Sequence, residues 1–208
     1  MGSWGWVLAG ACAVAVNGLA RHLVLLLGRP YRPEMARPAG SVAQGVLYAF
    51  SWGMLPWAKE STRRHMLAYL RGVVFHLGIG AAFLALLVGP WRAQGAGPLR
   101  WALVTLSAGG AMAGLGGLLA RVVETRLRRL STPDDFFAVA LVSLFTLAAA
   151  AAIVVPALVP AFYGLAAATL AYIPFGKIRH CFYFFFARYF FGAGFGRRGV
   201  LRWGKVHE

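Results

Sequence analysis

Five long apolar stretches constrain the fold of this chain more than any other feature of its sequence. They lie at roughly 4–27, 68–90, 101–121, 136–156 and 160–186. Each is close to the ~20 residues that an α-helix needs to cross a bilayer, where backbone polar groups must bond internally. Only 13% of the 208 residues are charged, about half the share usual in soluble domains. The sequence therefore predicts an all-α integral membrane protein, with five transmembrane helices bundled in one domain.

The basic residues between these stretches predict how the bundle is oriented. Most lie between spans one and two, between spans three and four, or after span five: Arg29, Arg32, Arg37, Lys59, Arg63, Arg64, Arg126, Arg128, Arg129, Arg197, Arg198, Arg202 and Lys205. The loops on the other side carry only Arg92 and Arg100. The positive-inside rule then places the N-terminus outside and the C-terminus in the cytoplasm of a multi-pass protein of the cell inner (plasma) membrane. Because this topology explains the net charge of +15, we expect no nucleic-acid partner.

Three shorter segments also predict local structure. The segment SVAQGVLYAFSWGMLPW, between spans one and two, is typical of an amphipathic helix lying in the membrane interface. Residues 187–208 form an aromatic and basic tail, which we expect on the cytoplasmic membrane surface. Before span four, Thr132 offers a helix-capping hydroxyl, Pro133 suits the first helical position, and Asp134 and Asp135 suit the helix dipole.

Two histidines lie inside apolar stretches, where an imidazole is costly unless it has a function. Counted at 1.5 Å per residue, His76 lies about 12 Å and His180 about 9 Å from the predicted cytoplasmic ends of their helices. Similar depths on two helices predict one shared iron, the bis-histidine ligation of a b-type haem. The alternative is that each histidine has polar partners of its own. A second haem held by His22 and His65 is a further alternative.

Other residues are candidates for contacts with such a haem. Gly110 and Gly114 in span three leave room for a macrocycle, although they equally suit close helix packing. Three cations, Arg71, Arg179 and Lys177, are candidate partners of the haem propionates, and the alternative is that they reach the lipid headgroups.

A quinone site would combine an apolar slot with a few polar groups near the haem. The candidates at the start of span two are Lys59, Glu60 and His65. At eleven residues before His76, His65 is predicted on nearly the same face of the helix, about 16 Å lower. It is otherwise a solvated residue of the interface.

In this order, four motifs resemble the haem b membrane subunit of respiratory nitrate reductase, the gamma-subunit family. That family includes the cytochrome b subunits of heterodisulfide reductase and related quinone-linked complexes. The motifs are FHLGIG around His76, AGG…GLGGLL in span three, STPDD before span four, and PFGKIRH ending in His180. The resemblance covers Arg64 to about Arg188 and implies that His76 and His180 hold the cytoplasmic-side haem.

The chain departs from this family at its second haem. The resemblance would place the two outer-side haem ligands at Leu86 and Phe162, and neither side chain can ligate iron. It therefore implies one haem b, and it fits the heterodisulfide reductase type better than nitrate reductase itself.

The function that the residues and the resemblance predict is electron transfer rather than catalysis by this chain alone. A cytoplasmic iron–sulfur subunit, heterodisulfide-reductase-like or nitrate-reductase-beta-like, would exchange electrons through haem b with menaquinone or ubiquinone. The partner could also carry molybdenum. The alternative function is a haem-free membrane anchor or transporter subunit, and a transporter would be expected to have broken helices.

Overall fold

The computed structural model describes residues 3–30, 35–95 and 97–201, which form α-helices, 3₁₀ turns and no strand. The α-helices are α1 (Ser3–Leu27), α2 (Val42–Phe50), α3 (Glu60–Arg64), α4 (Met66–Val88), α5 (Pro90–Gln94), α6 (Pro98–Val123), α7 (Thr125–Leu130), α8 (Pro133–Val154), α9 (Val159–Tyr172) and α10 (His180–Arg197). Short 3₁₀ helices lie at Trp52–Met54, Pro56–Ala58, Pro156–Leu158 and Lys177–Arg179. The predicted all-helical class is confirmed for these residues.

Four helices, α1, α4, α6 and α8, are each long and apolar enough to cross a membrane. They coincide with the first four predicted spans to within three residues at either end. A fifth span exists only if α9 and α10 are counted together as one broken span. The fold is therefore consistent with a multi-pass membrane protein of four or five crossings.

The fifth predicted span, 160–186, differs from a single helix. α9 ends at Tyr172, and the N–H groups of Phe175 and Gly176 both donate to the Tyr172 carbonyl in a tight turn. Pro174 accounts for this break, because proline has no N–H to donate to the preceding turn and its ring crowds a helix interior. α10 then continues to Arg197, so residues 187–197 are helical and belong to α10 rather than to a tail. Positions 202–208 of the predicted tail lie outside the described residues.

The chain divides into two compact units, where the sequence predicts one domain. Unit 1 comprises residues 1–22 and 70–178, and unit 2 comprises residues 23–69 and 179–208. Both α1 and α4 therefore contribute residues to both units.

In unit 1, α8 is the central helix, packed between α6 and α9. Its side chains Phe145 and Ile153 are fully buried, as are Leu103 of α6 and Phe162 of α9. The buried hydroxyls of α8 donate within their own helix, Ser143 to the carbonyl of residue 139 and Thr146 to that of Ser143. Burial of these hydroxyls therefore leaves no unpaired donor on α8 at these two positions.

The start of α8 has the predicted chemistry. Thr132 is the N-cap, Pro133 occupies the first turn, and Asp135 completes a capping box with Thr132. The Asp135 carboxylate accepts hydrogen bonds from the Thr132 backbone N–H at 2.7 Å and from its hydroxyl at 2.9 Å. The sequence signal for this boundary is confirmed because a capping box depends only on residues within one turn.

In unit 2, α2 and α10 pack against each other along a strip of glycines. A methyl group added at Gly196 would lie 2.6 Å from the Ser41 carbonyl oxygen, and one at Gly192 would lie 2.6 Å from the Gly45 carbonyl oxygen. The backbones therefore touch. The N–H groups of Ala39 and Gly40 also donate to the Arg197 carbonyl, each at 2.9 Å. The predicted interfacial helix thus forms as α2, and its partner is the C-terminal helix.

Candidate functional site

His76 lies in the middle of α4, and its ring is held by its own helix. Its Nδ1 atom is 2.7 Å from the carbonyl oxygen of Gly72, one turn earlier. A carbonyl oxygen only accepts hydrogen bonds, so Nδ1 carries the proton and Nε2 carries the lone pair. Metal-ligating histidines characteristically donate their other ring N–H to such a carbonyl. A neutral imidazole in this tautomer can ligate a metal through Nε2.

Glycines flank His76 on the same side of α4. Gly72 and Gly80 lie four residues before and after it, a spacing that places all three residues on one face. A methyl group added at either glycine would meet no atom within 4 Å. The His76 side chain on this face is exposed. A flat macrocycle could therefore approach the α4 backbone above and below the imidazole, and these residues fit an axial haem ligand.

The opposite face of α4 contacts α6. A methyl group added at Gly78 would lie 2.5 Å from the Cα of Gly110, so the two backbones touch there. One added at Gly114 would lie 2.6 Å from the Phe75 ring and would also collide with the Ser143 hydroxyl. The space at Gly110 and Gly114 is thus filled by protein. These glycines were predicted either to leave room for a macrocycle or to allow close helix packing, and their contacts in unit 1 are those of close helix packing.

Arg71 also lies on the side of α4 that faces α6. A methyl group added at Gly117 would lie 3.5 Å from the Arg71 Nε and 3.7 Å from its Cζ, so the guanidinium packs over this glycine. Five residues separate Arg71 from His76, a rotation of about 140° around the helix. Arg71 was predicted to contact a propionate of a haem bound by His76. The structure places Arg71 on a different face of α4 from His76.

Lys177, the second predicted propionate contact, has a protein partner. Its Nζ atom lies 2.7 Å from Oδ2 of Asp135. The Asp135 side chain is mostly buried and the Lys177 side chain is about half exposed. This ion pair joins the turn after α9 to the start of α8, and the sequence did not predict it. Removing Lys177 would leave the Asp135 carboxylate with its capping contacts alone.

His180 is the first residue of α10, and Arg179 is its N-cap. Both residues are exposed and belong to unit 2, whereas His76 belongs to unit 1. The two predicted haem ligands thus come from different units. Among the described residues, no group of three or more His, Cys, Asp or Glu side chains is placed to hold a metal ion.

The three predicted quinone residues gather around the short helix α3 in unit 2. Lys59 is its N-cap, Glu60 is its first residue and pairs with Arg64, and His65 is its C-cap. His65 has φ −123° and ψ 45°, and α4 begins only at Met66. The prediction that His65 continues the helix face of His76 is therefore wrong, because the helix breaks at His65.

His22, the alternative second-haem ligand, is in contact with the turn after α9. Its Nε2 atom lies 2.8 Å from the Pro174 carbonyl oxygen. One turn earlier on α1, a methyl group added at Gly18 would lie 2.6 Å from Cγ of Pro174. This side of α1 thus packs on Pro174, and the His22 ring donates to a backbone carbonyl there.

An aromatic core occupies the positions that correspond to the second haem of the family. Phe162 is fully buried and stacks on Phe145, with ring centroids 5.7 Å apart and planes 9° apart. Phe83 also packs against Phe145, with ring centroids 4.9 Å apart, and Leu86 packs against the same cluster. Side chains therefore fill this part of unit 1.

The sequence prediction missed the contact of α2 with α10, whose signal was the small-residue spacing of Gly192 and Gly196.

Comparison with known proteins adds no relative to these observations. No protein-family model, curated protein or solved structure matches the chain. The nitrate reductase gamma-subunit resemblance therefore stays a prediction from sequence motifs, and the site is described from its own residues.

Proposed function

We propose that the protein is a haem b-containing membrane subunit that transfers electrons between a cytoplasmic oxidoreductase and membrane quinone. The observation that carries this proposal is the His76 site on α4. The Nδ1–H of His76 donates to Gly72, as the second ring nitrogen of metal-ligating histidines commonly does, and this supports iron ligation through Nε2. The open space at Gly72 and Gly80 supports the same function, because a porphyrin needs a flat surface beside its ligand.

The second axial ligand in this proposal is His180, as the sequence predicts. It stands at the first position of α10, directly after Arg179. Of the three predicted propionate contacts, we retain Arg179, because Lys177 pairs with Asp135 and Arg71 packs over Gly117. When bound, the haem supplies a one-electron carrier whose potential is set by its two imidazoles and its apolar surroundings.

The packing of unit 1 supports one haem rather than two. Phe162 and Phe145 stack where the resemblance would place the second haem. Electrons therefore enter and leave through a single carrier near one membrane face. We assign this face to the cytoplasm, since most of the basic residues lie in the loops on that side.

The partner in this proposal is a cytoplasmic iron–sulfur subunit, with or without molybdenum in the complex, and the electron acceptor or donor is menaquinone or ubiquinone. Lys59, Glu60 and His65 lie together at α3, directly before the start of α4. A quinone headgroup exchanges protons as well as electrons, and the two ring nitrogens of His65 can accept and donate hydrogen bonds to such a headgroup.

An absorption spectrum tests the proposal directly. The purified, dithionite-reduced chain should show the sharp α-band of a b-type haem, with about one haem per chain as set by the bis-histidine site. His76→Ala and His180→Ala should each abolish this band, whereas His65→Ala, the matched control, should keep it. A cofactor-replete preparation without the band would remove the proposal.

A haem-free transporter is the second candidate function, and one observation favours it. α9 and α10 are a bent helix pair, either a broken span or a re-entrant loop, and discontinuous helices are common in transporters, where they line substrate sites. The same spectrum decides between the two functions, because a transporter would show no α-band and would not change its absorption on reduction.

A further inference from the structure

Arg188 is a partly buried cation in unit 2. It lies on α10, one turn before Gly192, on the side of the helix that packs against α2. Its Nε and one of its terminal nitrogens are shielded from solvent and have no hydrogen-bond partner among the described residues. The guanidinium carbon lies 5.8 Å from the Phe191 ring centroid. Buried donors without an acceptor are costly, so such a group points to a ligand.

A second cation lies beside Arg188. The Lys59 ammonium is partly buried, and its pKa is lowered, first by burial and then by the positive charge of Arg188. The side chain of Tyr48, on α2, also lies near Arg188. Two neighbouring cations repel each other unless an anion lies between them.

The described part of unit 2 offers no protein anion for this pair. It contains nine Lys or Arg residues and one acidic residue, Glu60. The Glu60 carboxylate already pairs with Arg64. Among the described residues of unit 2, no further carboxylate can balance Arg188 and Lys59, and an anionic ligand would supply that charge.

Exposed aromatic side chains lie close in sequence to the two cations. Phe185, Tyr189 and Phe190 on α10 expose 61%, 49% and 51% of their surface, and Trp57, two residues before Lys59, exposes 54%. A small hydrophilic anion would gain nothing from these rings, whereas acyl chains would pack against them. The ligand should therefore carry both an anionic group and a long apolar part.

We propose that Arg188 and Lys59 bind the headgroup phosphate of an anionic phospholipid at the contact of α2 with α10. The planar guanidinium donates in a fork that matches two phosphate oxygens, and the ammonium adds a point charge. The acyl chains lie along the exposed rings of α10. This site is independent of the haem ligands, because it involves neither His76 nor His180, and it shares only Lys59 with the proposed quinone site.

Native mass spectrometry of the full chain in detergent tests this site. The chain is titrated with phosphatidylglycerol, with phosphatidylcholine of the same acyl chains, and with inorganic phosphate as a competitor. We expect preferential retention of phosphatidylglycerol. Arg188→Gln should weaken its binding about tenfold, the loss expected when a charge-assisted hydrogen bond is removed. Lys59→Gln should weaken it about threefold.

Arg63→Gln is the matched control, because it removes one exposed charge from the same unit. Its affinity for phosphatidylglycerol should stay within about twofold of that of the unmodified chain. If Arg188→Gln fails to fold, as judged by circular dichroism, Lys59→Gln carries the test alone. Equal binding by Lys59→Gln, Arg188→Gln and Arg63→Gln would overturn the site. Displacement of the lipid by equimolar inorganic phosphate would overturn its assignment to a phospholipid.

Discussion

The Nδ1–H of His76 donates a hydrogen bond to the carbonyl oxygen of Gly72, 2.7 Å away on the preceding turn of α4. This contact fixes the tautomer of the neutral imidazole. The two sides of α4 differ in their contacts. Gly72, His76 and Gly80 share one face, while Gly78 contacts Gly110 on the other.

This division gives a matched pair of glycine substitutions. Gly80→Leu fills open space beside His76, so it should lower the haem content of the purified chain several-fold with little change in melting temperature. Gly78→Leu forces a side chain into the Gly110 backbone and should cost about 2 kcal/mol of stability or more. Haem content by absorbance and melting by circular dichroism would distinguish the two variants. Equal haem loss in both variants would argue against a macrocycle on the Gly80 face.

The glycine strip between α2 and α10 provides a second test within a single helix. Gly192→Leu and Gly196→Leu should each separate α2 from α10, because their added side chains would meet the Gly45 backbone. Gly194→Leu should be tolerated, since a methyl group added there meets nothing within 4 Å. Limited proteolysis measures the difference, and the first two variants should be cleaved in the 35–65 region much faster than the third. Similar cleavage of all three would contradict the contact.

Asp135 combines a helix cap with an ion pair to Lys177. Asp135→Ala removes both, so we expect it to destabilise the protein by about 1–2 kcal/mol. Lys177→Met should cost less than about 1 kcal/mol, because the lysine is half exposed and solvent screens the pair. Asp134→Ala, which leaves the capping box intact, should cost only a few tenths of a kcal/mol. Thermal melting of the three variants in one detergent measures their relative loss of stability. A loss in Asp134→Ala as large as that in Asp135→Ala would refute the prediction.

The aromatic core predicts that a second haem cannot be restored by supplying ligands. In a chain carrying Leu86→His and Phe162→His together, we expect no rise in haem stoichiometry. The Phe162 change should also cost about 3 kcal/mol, since it replaces a fully buried ring with a polar one in a stacked pair. Pyridine haemochrome measurements against protein concentration give the ratio. Two haems per chain would show that the cluster at Phe145 can reopen.

Local chemistry explains why some of these features could be predicted. The capping box at Thr132 and Asp135 needs only residues three positions apart, and it was predicted with the correct N-cap and first turn. Pro174 in the sequence indicated an interruption of the fifth span, but the sequence did not predict that a helix would end at Tyr172. The helix break at His65 had no such marker, and its position on one face with His76 was predicted wrongly.

By itself, the sequence determined the all-helical class, the four long apolar helices and the histidine within α4. These follow from hydrophobic length and from bonds within one helical turn. Only the tertiary structure decided that Gly110 meets Gly78, that Lys177 pairs with Asp135, and that α2 lies on α10. The physical reason is that lipid and protein interior are equally apolar, so composition does not reveal which face of a membrane helix meets another helix. Those contacts depend on close backbone approach between residues that lie far apart in the chain.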